Sequence, residues 1–210
     1  MKPLRYLKCP VCEKPAIDGM THPGCHTKYA LDGLMSFFRY DNVVKKATKQ
    51  IKYRYVTDIV SELINFIPGS SFSIFQKLRT KNYELRTMYL VPIPLHPSRF
   101  RFRGFNQAEV IAQALRKRLN IPVKTNMLIR TKKTTPQVEM KDRDKRLANM
   151  KDVFEVKKQT MNNYELRTTN QELNIILVDD VFTTGATLRS AASVFKHHGA
   201  KFVWGVTLAQ

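Results

Sequence analysis

The stretch Ile175-Ile176-Leu177-Val178-Asp179-Asp180-Val181-Phe182-Thr183-Thr184-Gly185-Ala186-Thr187-Leu188 constrains the fold of this chain more than any other. Four branched apolar residues in a row, bounded by Asn174 and an acidic pair, read as a strand buried on both faces. Such strands belong to parallel sheets covered by helices. Asp179 and Asp180 then fall at the strand's carboxyl end. From Thr187 onward Leu188, Ala191, Ala192 and Phe195 recur at helical spacing, and Gly199 suits the position just past a helix end. The unit is strand, tight polar loop, helix N-terminus.

A loop of this kind offers backbone N–H groups and the positive end of a helix dipole to an anion, with Thr183, Thr184 and Thr187 adding hydroxyls. A phosphate fits there. Two carboxylates ahead of it would repel a bare phosphate unless they serve another part of the ligand, such as vicinal sugar hydroxyls or a bound Mg²⁺. A sugar phosphate satisfies both halves. A lone Thr-Thr-Gly would be read as an ordinary strand–helix connection with a threonine cap; the ordered combination of apolar run, acidic pair and Thr/Gly loop favours the ligand.

This segment resembles the phosphoribosyl-pyrophosphate (PRPP) motif of type I phosphoribosyltransferases. Val91-Pro92-Ile93-Pro94-Leu95, Arg103-Gly104-Phe105-Asn106-Gln107, and Gln137 followed by Arg146 and Asn149 are similar, more narrowly, to the ComF family of competence-associated phosphoribosyltransferase homologues. The resemblance extends over most of the chain, its cysteine-bearing start included. It implies PRPP as ligand, with Asp179 and Asp180 holding the ribose hydroxyls as the catalytic pair. Thr183, Thr184, Gly185, Ala186 and Thr187 would hold the 5-phosphate. Arg103, Gly104 and Asn106 would receive pyrophosphate together with Arg146, and Mg²⁺ would accompany the ligand. It also implies a role in DNA uptake, with single-stranded DNA and a competence helicase or other uptake proteins as partners.

All three cysteines lie within the first 25 residues. Cys9-Pro10-Val11-Cys12 and His22-Pro23-Gly24-Cys25 form two pairs of equal spacing, each able to turn both donors toward one ion. That is Cys₃His chemistry for a structural, tetrahedral Zn²⁺. The family usually carries a second Cys-x-x-Cys, so His22 stands where a cysteine is expected, and His26 competes with it for the fourth place. Zinc so distant in sequence from the 175–188 loop is expected to hold a small module together. The start of the chain has no apolar core between its lysines, which excludes a signal peptide or membrane span there and points to the cytoplasm.

Lys+Arg 36 against Asp+Glu 17 gives a net charge of +19, which attracts polyanions without regard to sequence. A strand-like run, Leu34 to Tyr40, leads through Asp41 as N-cap into a helix with Val44, Ala47 or Thr48, Ile51 and Tyr55 on one face. Lys45, Lys46, Lys49, Lys52 and Arg54 fall largely elsewhere, as a solvated face or, with Tyr40, Tyr53 and Tyr55 between them, as a base-stacking surface. A second helix spans about Thr57 to Phe66. The hexamer Asn82-Tyr83-Glu84-Leu85-Arg86-Thr87 recurs as Asn163 to Thr168, each copy ahead of a strand, and reads as a surface extension at the strands' amino ends.

Tyr89 to Pro94 reads as another strand, followed by a basic loop from His96 to Gly104 and a helix opened by Asn106 and Glu109 through Leu119. Residues 129 to 149 are a basic stretch with little apolar periodicity, expected to be a mobile loop; the resemblance implies that it closes over PRPP. Val153 to Val156 is expected to resume the sheet, and Lys201 to Leu208 to supply its last strand. The expected architecture is α/β: a type I phosphoribosyltransferase-like parallel sheet with helices on both faces, residues 86–210. A zinc-binding module (1–33) and a helical hood segment (34–85) precede it. Phosphoribosyl transfer to an acceptor is the leading activity. A nucleic-acid-associated scaffold or sensor of DNA uptake is the alternative, and a pure zinc-organised interaction module a weaker third.

Overall fold

The computed structural model describes residue 4 and residues 6–54, 56–75, 88–134, 149–150, 152–157 and 173–210. Both copies of the repeated hexamer, Tyr55, Gln137 and Arg146 lie outside these residues, as does most of the basic stretch 129–149.

Its elements run β1 (Gly33–Phe38), α1 (Asn42–Arg54), α2 (Asp58–Asn65), β2 (Met88–Pro92), α3 (Pro97–Arg103), α4 (Gln107–Leu119), β3 (Leu128–Arg130), β4 (Phe154–Val156), β5 (Asn174–Val181), α5 (Ala186–His197) and β6 (Phe202–Ala209). Four strands form one sheet in the order β1-β6-β5-β2, every pair parallel. Consecutive side chains of a strand point to opposite faces, so this sheet has two cores. On one face Met35, Leu90, Ile176, Val178, Trp204 and Val206 pack against Val44 and Ile51 of α1, Val60 and Leu63 of α2, and Ile111 and Leu115 of α4. On the other, Leu34, Val91, Ile175, Leu177 and Val203 meet Leu188, Ala191, Ala192 and Phe195 of α5. Each fully buried aliphatic side chain contributes roughly 1.5–3 kcal/mol.

The α/β sheet covered on both faces is the architecture expected. The segment from Leu34 contributes a full strand to it: β1 lies at one edge, bonded along β6. At the opposite edge Leu90 receives backbone hydrogen bonds from and gives them to the 122–124 segment. Three expectations are corrected. Phe154–Val156 does not extend the main sheet but pairs antiparallel with β3 as a separate hairpin-like ribbon, because its three residues reach only Leu128–Arg130. Leu128–Arg130, at the start of the expected mobile stretch, is therefore strand. The basic segment after β2 is helical: Pro97 supplies a first-turn residue without a needed N–H, His96 Nδ1 caps the Ser98 N–H, and Gly104 closes the turn at φ 73°. Among the described residues no helix is long and apolar enough to cross a membrane.

Candidate functional site

The alternation that builds the two cores also separates the acidic pair. Asp180 continues the row of Ile176 and Val178 toward α1, while Asp179 continues that of Ile175 and Leu177 toward α5. Asp180 is buried, and its Oδ2 meets the Lys52 ammonium of α1. Asp179 Oδ1 accepts the Asp180 N–H at 2.9 Å. Beside Asp179 in the register stands Thr207 of β6, and beside that Ser36 of β1, their hydroxyl oxygens 2.6 Å apart. The carboxyl edge of the sheet is thus polar across three strands, at the end where open α/β sheets commonly take their ligands.

Phe182 leaves the strand by donating its N–H to Ala209 O, and the loop turns back at Gly185 with φ 72°. A side chain cannot stand there: a Cβ would lie 2.7 Å from the Phe182 ring and 3.4 Å from Pro10 O. α5 then opens at Ala186 with no side chain capping it, and a helix N-terminus of this kind suits an anion. Thr183 is exposed, Gly185 and Ala186 are buried, and Thr184 and Thr187 are half-buried. Thr184 Oγ1 is buried with no hydrogen-bond partner. Asp179, Phe182, Thr183, Gly185, Ala186 and Thr187 line one depression.

The second arm comes from β2. Ile93 donates to Val178 O, which brings the end of β2 beside the acidic pair. Asn106 is buried there, its Nδ2 donating to Ile93 O at 3.0 Å and its Oδ1 accepting from Ala108 N at 3.1 Å, so it both caps α4 and ties that helix to the sheet edge. Arg103 donates to Gln107 Oε1 at 2.7 Å and lies 5.6 Å over the Tyr53 ring of α1. Tyr53 follows Lys52 directly, so one turn of α1 spans the acidic pair and the arginine. Asp179, Asp180, the Thr/Gly loop, Arg103 and Asn106 therefore share one edge of the molecule, with Gly104 exposed beside them.

Near the N-terminus the donor atoms of Cys9, Cys12, His22 and Cys25 all lie within 4.8 Å of one another. His22 Nε2 sits 3.0 Å from Pro15 O, a carbonyl that only accepts, and Nδ1 is turned toward Cys12 Sγ at 3.3 Å. His26 is elsewhere, its Nε2 held by Asp32 at 3.1 Å. Cys12 foremost, then desolvation and Cys9, push the Cys25 thiol up to about 11, the response of crowded thiols that share a proton where a cation would sit. Three thiols and one imidazole in this arrangement fit a four-coordinate Zn²⁺. The module does not stand apart from the anion loop as its distance in sequence suggests: Pro10, between Cys9 and Cys12, forms the far wall of Gly185.

No family model matches the chain. It is 29% identical over 198 residues to Competence protein ComFC of Bacillus subtilis, covering 91% of this chain and 72% of that protein. Against Competence protein F of Haemophilus influenzae it is 34% identical over 122 residues, 57% of this chain and 50% of that protein. With DNA utilization protein YhgH of Escherichia coli K12 it shares 27% over 197 residues, 93% of this chain and 80% of that one. The chain is thus similar, at modest identity and over most of its length, to proteins named for competence and for DNA utilization.

Within this site the electrostatics centre on Asp179. Burial and the adjacent Asp180 push its carboxyl up to about 7, against the pull of the Asp180 N–H and Lys52. Burial opposes the charge on Lys52, yet Asp180 foremost, with Asp179 and Tyr40, holds the ammonium above its ordinary range. Burial and then Arg99 lower Arg130 to about 10, and Asp179 works in the other direction, so β3 also presents a cation to the acidic pair. Lys52 and Arg130 are the residues that motif reading missed. For Lys52 a signal existed: it falls four residues after buried Thr48 and eight after buried Val44, on the covered stripe of α1 and not on its solvated face.

Proposed function

We propose that this ComF homologue binds PRPP and transfers its phosphoribosyl group to an acceptor, within the handling of incoming DNA that the names of its relatives denote. The observation that carries the reading is Thr184 Oγ1, buried and unpartnered in a loop that opens an uncapped helix directly behind an acidic pair. A buried hydroxyl without a partner costs about 1–3 kcal/mol, which a phosphate oxygen would recover. In this reading Asp179 and Asp180 accept hydrogen bonds from the two ribose hydroxyls. Thr183, Thr184, Gly185, Ala186 and Thr187 hold the 5-phosphate through hydroxyls and N–H groups.

Arg103, Gly104 and Asn106, with Arg146, are assigned to the pyrophosphate. The acidic pair makes no closed cage of three or more metal-ligating side chains among the described residues, which suits a Mg²⁺ that arrives on its phosphates. When bound, Mg²⁺ supplies charge neutralisation to the leaving group. The protein's own groups orient the sugar, keep its hydroxyls hydrogen-bonded while positive charge develops on the ring, and exclude water that would hydrolyse it. No side chain acts as nucleophile.

Isothermal titration of the full chain with PRPP and Mg²⁺ tests this, with inorganic phosphate as a comparison. Binding is expected for the wild type and is expected to be strongly weakened in Asp179→Asn and Asp180→Asn, while Thr184→Val weakens it about ten- to a hundred-fold, the value of a charge-assisted hydrogen bond. Unchanged binding by both aspartate variants would remove the sugar assignment. A second reading has its own observation: Lys45, Lys46 and Lys49 are exposed along α1 beside the exposed Tyr53 ring, a surface suited to single-stranded DNA. There the PRPP fold would serve as scaffold or sensor for a competence helicase or another uptake protein. Aspartate variants that lose PRPP yet keep DNA-uptake activity in cells would favour it.

A further inference from the structure

We propose that Lys52 is a positioning residue of the phosphoribosyl site, holding the Asp180 carboxylate in the orientation in which it receives a ribose hydroxyl. The inference rests on the PRPP reading and extends it to α1, a helix that lies outside every segment on which the family resemblance stands.

Lys52 and Asp180 face each other across the helix–sheet boundary, their side chains 25% and 10% exposed. Because the contact is made through Oδ2, it fixes which way the other carboxylate oxygen points. Without the ammonium, Asp180 would stand beside Asp179 as one of two adjacent carboxylates on a largely buried edge, and such a pair turns apart or takes up a proton. Either change spoils an acceptor that must stay ionised and aimed.

Among the described residues no other ion pair ties α1 to the sheet. Its apolar stripe, Val44 and Ile51 with Thr48, fixes α1 against the sheet but leaves rotation and sliding to be set by its ends. Lys52 sets them at the site, and Tyr53 beneath Arg103 continues the contact to the second arm. A lysine that served solubility would lie with Lys45, Lys46 and Lys49 on the exposed face. This one is turned inward, where a charge survives only with a partner.

The full chain is titrated with PRPP and Mg²⁺ as wild type, Lys52→Arg, Lys52→Met, Lys52→Gln, Asp180→Asn and the double variant Lys52→Met/Asp180→Asn, with thermal melting alongside. Lys52→Met and Lys52→Gln are expected to weaken binding on the order of tenfold or more, and Lys52→Arg to restore most of it. The double variant, which leaves no buried charge unpaired, is expected to bind as Asp180→Asn alone does, since Lys52 acts only through that carboxylate. Wild-type-like affinity in Lys52→Gln, or losses that simply add in the double variant, would overturn the proposal while the PRPP reading stands. A lowered melting temperature with unchanged affinity would overturn it as well, by making the pair a fold contact only. A wild-type chain that does not take up PRPP would remove the reading and the inference together.

Discussion

Asp179 keeps its proton to higher pH in the folded chain than in an unfolded one. Its carboxyl is pushed up to about 7 by burial and by Asp180, whereas an aspartate in water titrates near ~3.9. Between these values the folded state binds more protons than the unfolded one, so stability falls as pH climbs through the window and levels off above it. Asp179→Asn removes the penalty. We expect the variant to melt above the wild type at pH 8, by on the order of a few kcal/mol, and the advantage to shrink toward zero near pH 4. Calorimetry across that range checks the sign: an advantage that grows on acidification would refute it. PRPP affinity of the wild type should rise over the same window, because an ionised carboxylate accepts two hydroxyls better than a protonated one. A site kept at a cost to the fold is what a ligand surface looks like.

The acidic pair and its loop were legible because every part of the unit is adjacent in the chain. Strand, turn and helix start follow one another within Ile175–Leu188, and each local preference agrees with the next. Asn106 was legible for the same reason, as a cap three residues ahead of Glu109. Lys52 was not, since its partner is set by how α1 crosses the sheet. Only its place on the Val44–Thr48–Ile51 stripe hinted that it turns inward.

At the scale of elements, the two arms of the cysteine module close on one point through turns that need only short-range contacts, such as Cys9 N to Lys14 O and Glu13 N to Cys9 O. Equal spacing of the two pairs therefore sufficed to read it. The choice between His22 and His26 depended on Asp32, which also bonds Val203 N and Lys196 and so belongs to the α/β body. We expect purified protein to hold one zinc per chain, His22→Ala to lose it, and His26→Ala to keep it; metal analysis of the two variants decides. The reverse pattern would move the fourth ligand to His26. The elements misread from sequence share a trait. β3 and β4 are three residues each, and α3 seven, too short for periodicity to separate helix, strand and loop.

For the whole molecule, the excess of +19 sets the behaviour toward polyanions. Binding to single-stranded DNA should be tolerant of sequence and should weaken with salt, with a slope of roughly 0.7 per phosphate contact in the log–log plot. Replacing Lys45, Lys46 and Lys49 together should flatten the slope if α1 carries the contact, whereas affinity that does not change between low and physiological salt would rule the surface out.

The strand order has a further consequence. β6 lies between β1 and β5, so the first strand of the sheet and the one that bears the acidic pair meet only through the last. On the ribosome the Thr/Gly loop is covalently finished by Leu188, yet Phe182 N waits for Ala209 O, and Asp179 for Thr207, until Phe202–Ala209 has left the exit tunnel. Parallel pairing between segments so far apart in the chain closes large loops and is slow to form. Until β6 is made, β1 and β5 each keep an unpaired edge, and the polar carboxyl edge of the sheet is assembled only once that strand has threaded between them.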